Sequence, residues 1–386
     1  MKKKIRYLFA AELQRIAKWD YIMLYLFYRF ISRVDEFQIL MLSESREELS
    51  GNLKFIDDKI DKDKFRVIYF FKRSILLKSS FQEKKELCKY LAKSKYILVD
   101  DFIPFMYPIP LRKETKFIQV WHAMGAFKTV GFSRLGKVGG PSPRSLTHRN
   151  YTDTIVSSES IRENYAEAFK MDISHVHAIG IPRTDVFFDD AYKIKIRNQF
   201  YSVYPKLKGK KIVLFAPTFR GNGIKTAYYD FSWLSFDKIE EELKEEYVFL
   251  IKMHPFIKDK ALIREENEFY IDLSDEREIN DLLFVADVLV TDYSSVIFEA
   301  ALLNLKTVFF VPDMEEYVST RDFYYRFEDY AFGNIAKTDD ELVEAICRGN
   351  NDEKKLQKFK DRFCDACDGK SSERFVEYFF ENKKEE

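Results

Sequence analysis

The sequence predicts an α/β fold of two consecutive domains, each with a parallel β-sheet covered by helices. Its 386 residues are more than one ordinary core accommodates. Short apolar runs alternate with stretches of helical periodicity, and the alternation restarts after a polar, basic stretch at residues 201–211 that we interpret as a linker. We therefore expect domains at residues 37–204 and 205–386, with a ligand cleft between them at the carboxyl ends of the strands.

The composition excludes several classes of protein. Acidic and basic residues balance at 63 each, so no global field attracts nucleic acid. The four cysteines are too few and too scattered for a disulfide framework, which favours a cytosolic protein. Three pairs of metal-ligating residue types stand out, and we interpret them as structural or solvated: Asp61 with Asp63, His175 with His177, and Cys364 with Cys367.

Residues 1–36 form a segment of their own. Between residues 1 and 34, eight Lys or Arg face two acidic residues, which gives a net charge of +6. The helix-compatible run WDYIMLYLFYRFI at residues 19–31 is rich in large apolar side chains but too short to span a bilayer. Two interpretations stay open: the segment lies in the headgroup region of an anionic cytoplasmic leaflet, or it packs on the first domain with its basic face in water.

In the first domain, strands are predicted at residues 38–42, 66–71, 96–100, 117–121, 154–157 and 175–179, with helices such as 81–92 and 160–169 between them. The fourth strand leads directly into His122 and a turn that contains Gly125. A histidine in such a place is well situated to act as a general base, although a structural hydrogen bond is the commoner role. The basic loop that follows, rich in Gly, Pro and Ser, is suited to shaping an acceptor site.

In the second domain, strands are predicted at residues 212–216, 247–253, 287–291 and 307–311, with helices at 237–245, 276–285 and 294–303. Polar side chains follow three of these strands: Thr218 and Arg220 the first, His254 the second, and Ser294 and Ser295 the third. Because the carboxyl ends of parallel strands meet at one edge, we expect these groups to lie together and to donate hydrogen bonds to phosphate oxygens.

The most informative stretch is DVLVTDYSSVIFEA at residues 287–300, which predicts a buried strand, a tight turn and a helix. Ser294 and Ser295 fall at the helix start, where backbone N–H groups and hydroxyls together suit a phosphate. Glu299 lies about one turn deeper on the same helix face, where a carboxylate can accept hydrogen bonds from a ribose diol. The alternative is an ordinary strand–helix junction with a serine cap.

The chain carries six motifs in this order: QVWHAMG at residues 119–125, GIPRTDVFF at 180–188, APTFRGN at 216–222, KMHP at 252–255, VTDYSSVIFEAALL at 290–303 and RDFYYRFEDYAFG at 321–333. Together they resemble the CDP-glycerol glycerophosphotransferase family, whose members prime and polymerise wall teichoic acid in bacteria and decorate related polymers. The resemblance implies a GT-B architecture, in which two Rossmann-like domains face a central cleft and the second domain holds most of the donor.

The resemblance also implies roles for residues. Trp121 and His122 match a Trp-His-Gly motif that contains the family's catalytic histidine, although Ala123 stands where the family has glycine. His254 matches a His-Pro motif whose histidine contacts the donor pyrophosphate. The donor-binding set is completed by Thr218, Arg220, Asp292, Ser294, Ser295 and Glu299. Within it, Asp292 is expected to brace the turn and Glu299 to bind the ribose.

The implied reaction is polyol-phosphate transfer. An acceptor hydroxyl, deprotonated by His122, attacks the β-phosphorus of CDP-glycerol in line, and CMP leaves while Arg220 and His254 stabilise the charge. No metal or other cofactor is expected. The acceptor is expected to be a lipid-linked or polymeric cell-envelope glycan at the inner face of the cytoplasmic membrane, with the enzyme peripheral to it. Three alternatives stay open: another CDP-polyol such as CDP-ribitol, a GT-B nucleotide-sugar glycosyltransferase, and a non-enzymatic membrane-peripheral module.

Overall fold

Each half of the chain folds around its own parallel sheet. The structure, a computed structural model, describes residues 9–72, 77–137, 140–221, 223, 225–257, 268–276, 278–320 and 322–381. Two compact units result: one combines the chain up to Asp185 with the chain from Asp365 onward, and the other is Val186–Cys364. Each contains a six-stranded sheet whose neighbouring strands all run parallel, which confirms the predicted fold class.

The sheet of the first unit has the strand order β2-β1-β3-β4-β5-β6. Its strands are β1 (Asp35–Ser43), β2 (Arg66–Phe71), β3 (Ser94–Val99), β4 (Lys116–Gln119), β5 (Asp153–Ile155) and β6 (Val176–His177). The helices up to the end of this sheet are α1 (Ala10–Ala17), α2 (Trp19–Ile31), α3 (Gly51–Asp57), α4 (Phe81–Lys93) and α5 (Arg162–Phe169). All six predicted strands are present. Because they are parallel, the segments that follow β1, β3 and β4 emerge side by side at one edge.

The sheet of the second unit has the order β12-β11-β10-β7-β8-β9. Its strands are β7 (Lys211–Phe215), β8 (Tyr247–Ile251), β9 (Tyr270–Asp272), β10 (Val288–Thr291), β11 (Lys306–Phe310) and β12 (Asn334–Ala336). Its helices are α6 (Asp190–Val203), α7 (Phe236–Leu243), α8 (Ile279–Leu283), α9 (Val296–Leu302), α10 (Met314–Thr320), α11 (Asp339–Arg348) and α12 (Glu353–Phe363). The sequence predicted four of the strands; β9 and β12 have three residues each, too few for an apolar run to stand out.

The boundaries of the two compact units do not fall after residue 204, where the sequence led us to expect a domain boundary. Helix α6 lies in the second unit, where Arg197 Nη1 donates to the Phe284 carbonyl at 2.8 Å. Leu207, in the stretch interpreted as a linker, is 6% exposed and belongs to the core of that unit. Conversely, the last helix, α13 (Ser371–Val376), lies in the first unit, because Phe375 and Val376 are buried against its sheet.

The predicted N-terminal helix is present as α1 and α2, and one face of it packs on the first unit. Tyr25 is fully buried, and its hydroxyl accepts a hydrogen bond from the Arg112 N–H at 3.0 Å. Gln14 holds the loop after β4 by accepting from the Leu146 N–H at 2.7 Å. Large apolar side chains remain exposed on these helices, at Phe9, Leu13, Ile16, Trp19, Met23, Leu26, Phe27, Phe30 and Ile31. Among the described residues, no helix has the length and apolarity that crossing a membrane requires.

Candidate active site

The backbone that carries His122 is fixed by buried hydrogen bonds. The residue before it, Trp121, has a φ of 52°, a left-handed conformation that is costly for a residue with a side chain. Its N–H donates to Gln119 Oε1 at 2.8 Å, and Asn52 Nδ2 donates to its carbonyl at 2.7 Å. The Trp121 ring stacks on the imidazole with centroids 4.5 Å apart. The local path of the chain is therefore held in place although Ala123 replaces glycine.

The partner of His122 Nδ1 fixes the tautomer of the imidazole. Nδ1 lies 3.2 Å from the carbonyl oxygen of Asp100. Because a carbonyl only accepts, Nδ1 carries the proton and donates, which leaves Nε2 of the neutral ring as the basic nitrogen. The carboxylate of Asp101 lies 3.9 Å from Nδ1, and 49% of the His122 side chain is exposed. The geometry suits a general base that takes a proton at Nε2.

Asp100 is itself anchored from the neighbouring strand. Its Oδ2 accepts from Arg46 Nε at 2.5 Å, and the Asp100 residue is fully buried. Arg46 follows β1, Asp100 follows β3 and His122 follows β4, so three adjacent strands build this corner of the first unit. Sequence reasoning missed Arg46 and Asp100 as supports of the base. The available signal was a charged residue at or shortly after the end of a predicted strand.

In the second unit, His254 follows β8 and has the opposite tautomer. Its Nδ1 accepts from the backbone N–H of Phe256 at 3.1 Å. Because a backbone N–H only donates, the proton of the neutral ring lies on Nε2, which is then a hydrogen-bond donor. The rings of Phe219 and Phe256 flank the imidazole, each with its centroid 4.7 Å away. An N–H donor in this position suits a phosphate oxygen.

Arg220 is buried, with 5% of the residue exposed, and lies between two carboxylates. Its Nε and Nη2 donate to Asp313 at 2.6 and 2.9 Å, while Nη1 donates to Asp292 at 2.8 Å and to the Thr218 carbonyl at 3.1 Å. Burial alone would lower the pKa of Arg220, but the two carboxylates raise it. The guanidinium therefore ties together the segments that follow β7, β10 and β11. A direct contact of Arg220 with donor phosphate stays a prediction.

Four aromatic rings surround the Arg220 guanidinium at 4.7 to 5.5 Å from its central carbon: Tyr229, Trp233, Tyr293 and Tyr317. Cation–π contacts of this kind favour a charged group in a site from which water is excluded. Sequence reasoning missed Asp313, although it follows a predicted strand after a proline. The ring cage was not predictable, because its members come from separate loops and helices.

The turn after β10 is braced by Asp292, whose Oδ1 accepts from the Thr218 N–H at 2.7 Å and the Tyr293 N–H at 2.6 Å. Helix α9 begins at Val296, two residues later than expected, and Ser294 Oγ accepts from the Val296 N–H at 3.4 Å.

Ser294 and Ser295 are partly exposed at this turn, whereas Glu299 is 1% exposed and Thr218 is 4% exposed. The proposed contacts of these four residues with a donor stay predictions.

Among the described residues, no group of three or more His, Cys, Asp or Glu side chains is arranged to hold a metal ion. His175 and His177 instead share one carboxylate: His177 Nε2 lies 2.8 Å and His175 Nδ1 3.5 Å from Asp153 Oδ1. Burial alone would raise the pKa of Asp153, but the contact with His177 lowers it to about 2.

Comparison with known proteins gives a consistent family. The sequence model described as CDP-Glycerol:Poly(glycerophosphate) glycerophosphotransferase matches residues 24–381. The chain is 47% identical over 352 residues to a teichoic acid poly(ribitol-phosphate) polymerase of Bacillus spizizenii, covering 90% of this chain but only 57% of that protein. It is 45% identical over 348 residues to the teichoic acid ribitol-phosphate polymerase TarK of Staphylococcus aureus, covering 89% of this chain and 68% of that protein.

The fold has a counterpart among solved structures. The structure of the wall teichoic acid polymerase TagF superimposes with a TM-score of 0.76 and covers 98% of this chain and 97% of that chain. The sequences are 22% identical over this match, so the likeness shows the fold alone. It agrees with the GT-B architecture expected from the motifs.

Proposed function

The chain belongs to the CDP-glycerol:poly(glycerophosphate) glycerophosphotransferase family, and on this premise we propose that it transfers a polyol phosphate from a CDP-polyol to a hydroxyl of a teichoic-acid-type acceptor. The observation that carries the proposal is the pair of strand-end histidines with opposite tautomers. His122 has a basic Nε2, and His254 has an Nε2–H donor. A group of each kind accelerates phosphoryl transfer to a hydroxyl: the base removes the hydroxyl proton, and the donor stabilises charge on the phosphate oxygens.

In the proposed reaction, His122 Nε2 removes the proton of the acceptor hydroxyl as the oxygen attacks the β-phosphorus of the donor. The bond from that phosphorus to the CMP oxygen breaks, and CMP leaves with the electron pair. The Nε2–H of His254 and the hydroxyls of Ser294 and Ser295 donate hydrogen bonds to the phosphate oxygens, where charge accumulates. Arg220 keeps the segments after β7 and β10 in register for these contacts.

The donor we propose is CDP-ribitol, with CDP-glycerol as the alternative. Both named relatives are ribitol-phosphate polymerases, at 47% and 45% identity. The expectation from the motifs, CDP-glycerol, came from the family name and not from any residue that distinguishes the two polyols. Transfer of the polyol phosphate is common to both donors, so the chemistry above applies to either.

We also propose that α1 and α2 hold the enzyme at an anionic membrane surface, where a lipid-linked acceptor is available. Trp19 is 65% exposed and Phe30 is 90% exposed, and basic residues such as Lys18 and Arg29 lie among them. Interfacial aromatics next to basic side chains bind the headgroup region of anionic leaflets. Replacing Trp19, Phe27 and Phe30 by Gln is expected to reduce sedimentation with phosphatidylglycerol vesicles, whereas Phe188→Gln, at another exposed ring, is not.

The experiment that tests the transferase proposal is release of nucleotide from CDP-ribitol, CDP-glycerol and common nucleotide sugars, with membrane extract as acceptor. We expect CMP from the CDP-polyols, most rapidly from CDP-ribitol, and loss of CMP release in His122→Gln. A glycosyltransferase breaks the sugar carbon–oxygen bond instead and releases a nucleoside diphosphate from a sugar donor. That product, with no CMP from either polyol, would overturn the proposal.

A further inference from the structure

Further charged side chains lie at the carboxyl edge of the first sheet, next to His122. Strands β2, β1, β3 and β4 are neighbours in this order, and they are followed by Lys72, Glu44, Asp101 and His122 respectively. Lys72 Nζ lies 3.9 Å from Glu44 Oε1, and Asp101 Oδ1 lies 3.9 Å from His122 Nδ1. Glu44 and Asp101 also interact electrostatically. These four side chains form a row along the edge of the sheet that ends at the base.

Glu44 is a buried carboxylate whose hydrogen-bonding capacity is unused within the described part of the chain. The residue is 8% exposed, and its nearest cation, Lys72, stands beyond hydrogen-bond distance. Burial raises the pKa of Glu44 to about 7, with Lys72 and Lys18 lowering it and Asp101 raising it; Tyr21 faces it as well. A carboxylate held largely out of water without protein donors is unfavourable, and a ligand that brings O–H groups to it would lower that cost.

Asp101 extends the same surface toward the base. Its Oδ1 accepts from the Phe102 N–H at 2.7 Å, and its carbonyl accepts from Gln119 Nε2 at 3.0 Å, so both its backbone and one carboxylate oxygen are fixed. The side chain is 24% exposed, which leaves it accessible to a ligand. Two carboxylates on adjacent strands, one of them next to a general base, suit a ligand with hydroxyls on neighbouring carbons.

We propose that Glu44 and Asp101 form an acceptor subsite that holds adjacent hydroxyls of a polyol chain and presents the attacking hydroxyl to Nε2 of His122. This inference rests on the proposed transferase function and adds the ligand class of its acceptor side. Lys72, next to Glu44, offsets the negative charge that the two carboxylates bring to an acceptor bearing phosphate. In their ionised form the two carboxylates accept hydrogen bonds from any well-placed hydroxyl, so the subsite selects hydroxyl-rich acceptors and not particular sugars.

The test uses the full chain and synthetic alkyl-linked primers that end in ribitol phosphate or glycerol phosphate. A matching primer lacks the hydroxyl next to the terminal one. We expect Glu44→Gln and Asp101→Asn to raise the acceptor KM about tenfold or more, because each loses a charge-assisted hydrogen bond, and to leave the donor KM unchanged. The wild type should discriminate against the deoxygenated primer, and both variants should lose that discrimination. Glu47→Gln, an exposed carboxylate three residues from Glu44, is the control and should behave as wild type.

Distinct outcomes separate this inference from the proposed function. A wild type that releases no CMP from any CDP-polyol overturns the function and the subsite together. A wild type that transfers to the primers, with variants of unchanged acceptor KM and undiminished discrimination, overturns only the subsite. If the wild type transfers to membrane acceptors but to neither primer, the proposal that the subsite binds a polyol chain is wrong. If Glu44→Gln fails to fold, as judged by its melting temperature, the partly exposed Asp101→Asn carries the test.

Discussion

Each unit places a histidine just beyond a strand of a six-stranded parallel sheet, but the two neutral imidazoles are fixed in opposite tautomers. In the first unit, His122 Nδ1 donates to a carbonyl 3.2 Å away, so Nε2 is basic. In the second, His254 Nδ1 accepts from a backbone N–H 3.1 Å away, so Nε2 is a donor. One main-chain contact thus decides whether an imidazole removes a proton or donates a hydrogen bond.

The carboxylates at the strand ends also differ between the two units, in how closely a cation pairs with them. In the first unit, Lys72 Nζ stays 3.9 Å from Glu44, beyond hydrogen-bond distance, and Asp101 lies beside the base. In the second unit, Asp292 and Asp313 are both occupied by Arg220. A free carboxylate would repel a diphosphate, whereas it attracts a polyol. The electrostatics of each edge therefore match the ligand we propose for it.

The largest effect we expect comes from replacing the two histidines by glutamine. His122→Gln should lower kcat for CMP release about a thousandfold, because an amide cannot take up the proton. His254→Gln should cost about tenfold, because an amide N–H still donates a hydrogen bond to phosphate. Both values come from acceptor-dependent CMP release at saturating substrate. Equal losses in the two variants would contradict the assignment of different roles.

Replacing Arg220 or Arg46 tests how much each guanidinium contributes to the free energy of unfolding. Arg220→Met leaves Asp292 and Asp313 uncompensated and should lower the free energy of unfolding of the second unit by about 3–5 kcal/mol. Arg46→Met leaves only one carboxylate, that of Asp100, without its cation, so it should lower the free energy of unfolding by less than Arg220→Met does. Arg66→Met, at an exposed ion pair with Asp35, is the control and should cost about 1 kcal/mol or less. Urea unfolding curves measure all three, and an Arg220→Met loss no larger than that of the control would refute the bracing role.

We expect a smaller effect in the first unit, where His148 makes the free energy of unfolding depend on pH. His148 in the first unit is 4% exposed among aromatic rings, and burial lowers its pKa to about 3 from an ordinary value of 6.5. The unfolded chain binds a proton below about pH 6.5 that the folded chain does not bind until near pH 3, so stability is full above 6.5 and falls as pH decreases.

We expect the free energy of unfolding to drop between about pH 8 and pH 5, and to drop less in His148→Asn, which tolerates the left-handed φ of 60° at this position. His175→Gln, at a half-exposed side chain, should keep the wild-type slope. If His148→Asn has the same slope as the wild type, His148 is not the source of the pH dependence.

The sequence was sufficient for the fold and for the strand ends after which the candidate residues lie, because both depend on local patterns. Apolar runs of β-favouring residues mark ten of the twelve strands, and polar residues after those runs mark the two edges. The boundary between units was not predictable, since a short helix such as the one with Phe375 and Val376 has no sequence signal that says which sheet it covers. The support of Arg220 by Asp313 joins residues 93 apart in the chain, and local patterns carry no such information.

The tautomers were equally out of reach of the sequence, since they depend on which main-chain atom faces Nδ1. The proposed division into a base and a donor depends on these tautomers, and they can be measured directly. Two-bond proton–nitrogen NMR spectra of protein with isotope-labelled histidine, at about pH 8.5 where ordinary imidazoles are neutral, report which ring nitrogen is protonated. The five histidines are few enough to assign His122 and His254 from the His→Gln variants. We expect the proton on Nδ1 of His122 and on Nε2 of His254; the same tautomer at both would contradict the division into base and donor.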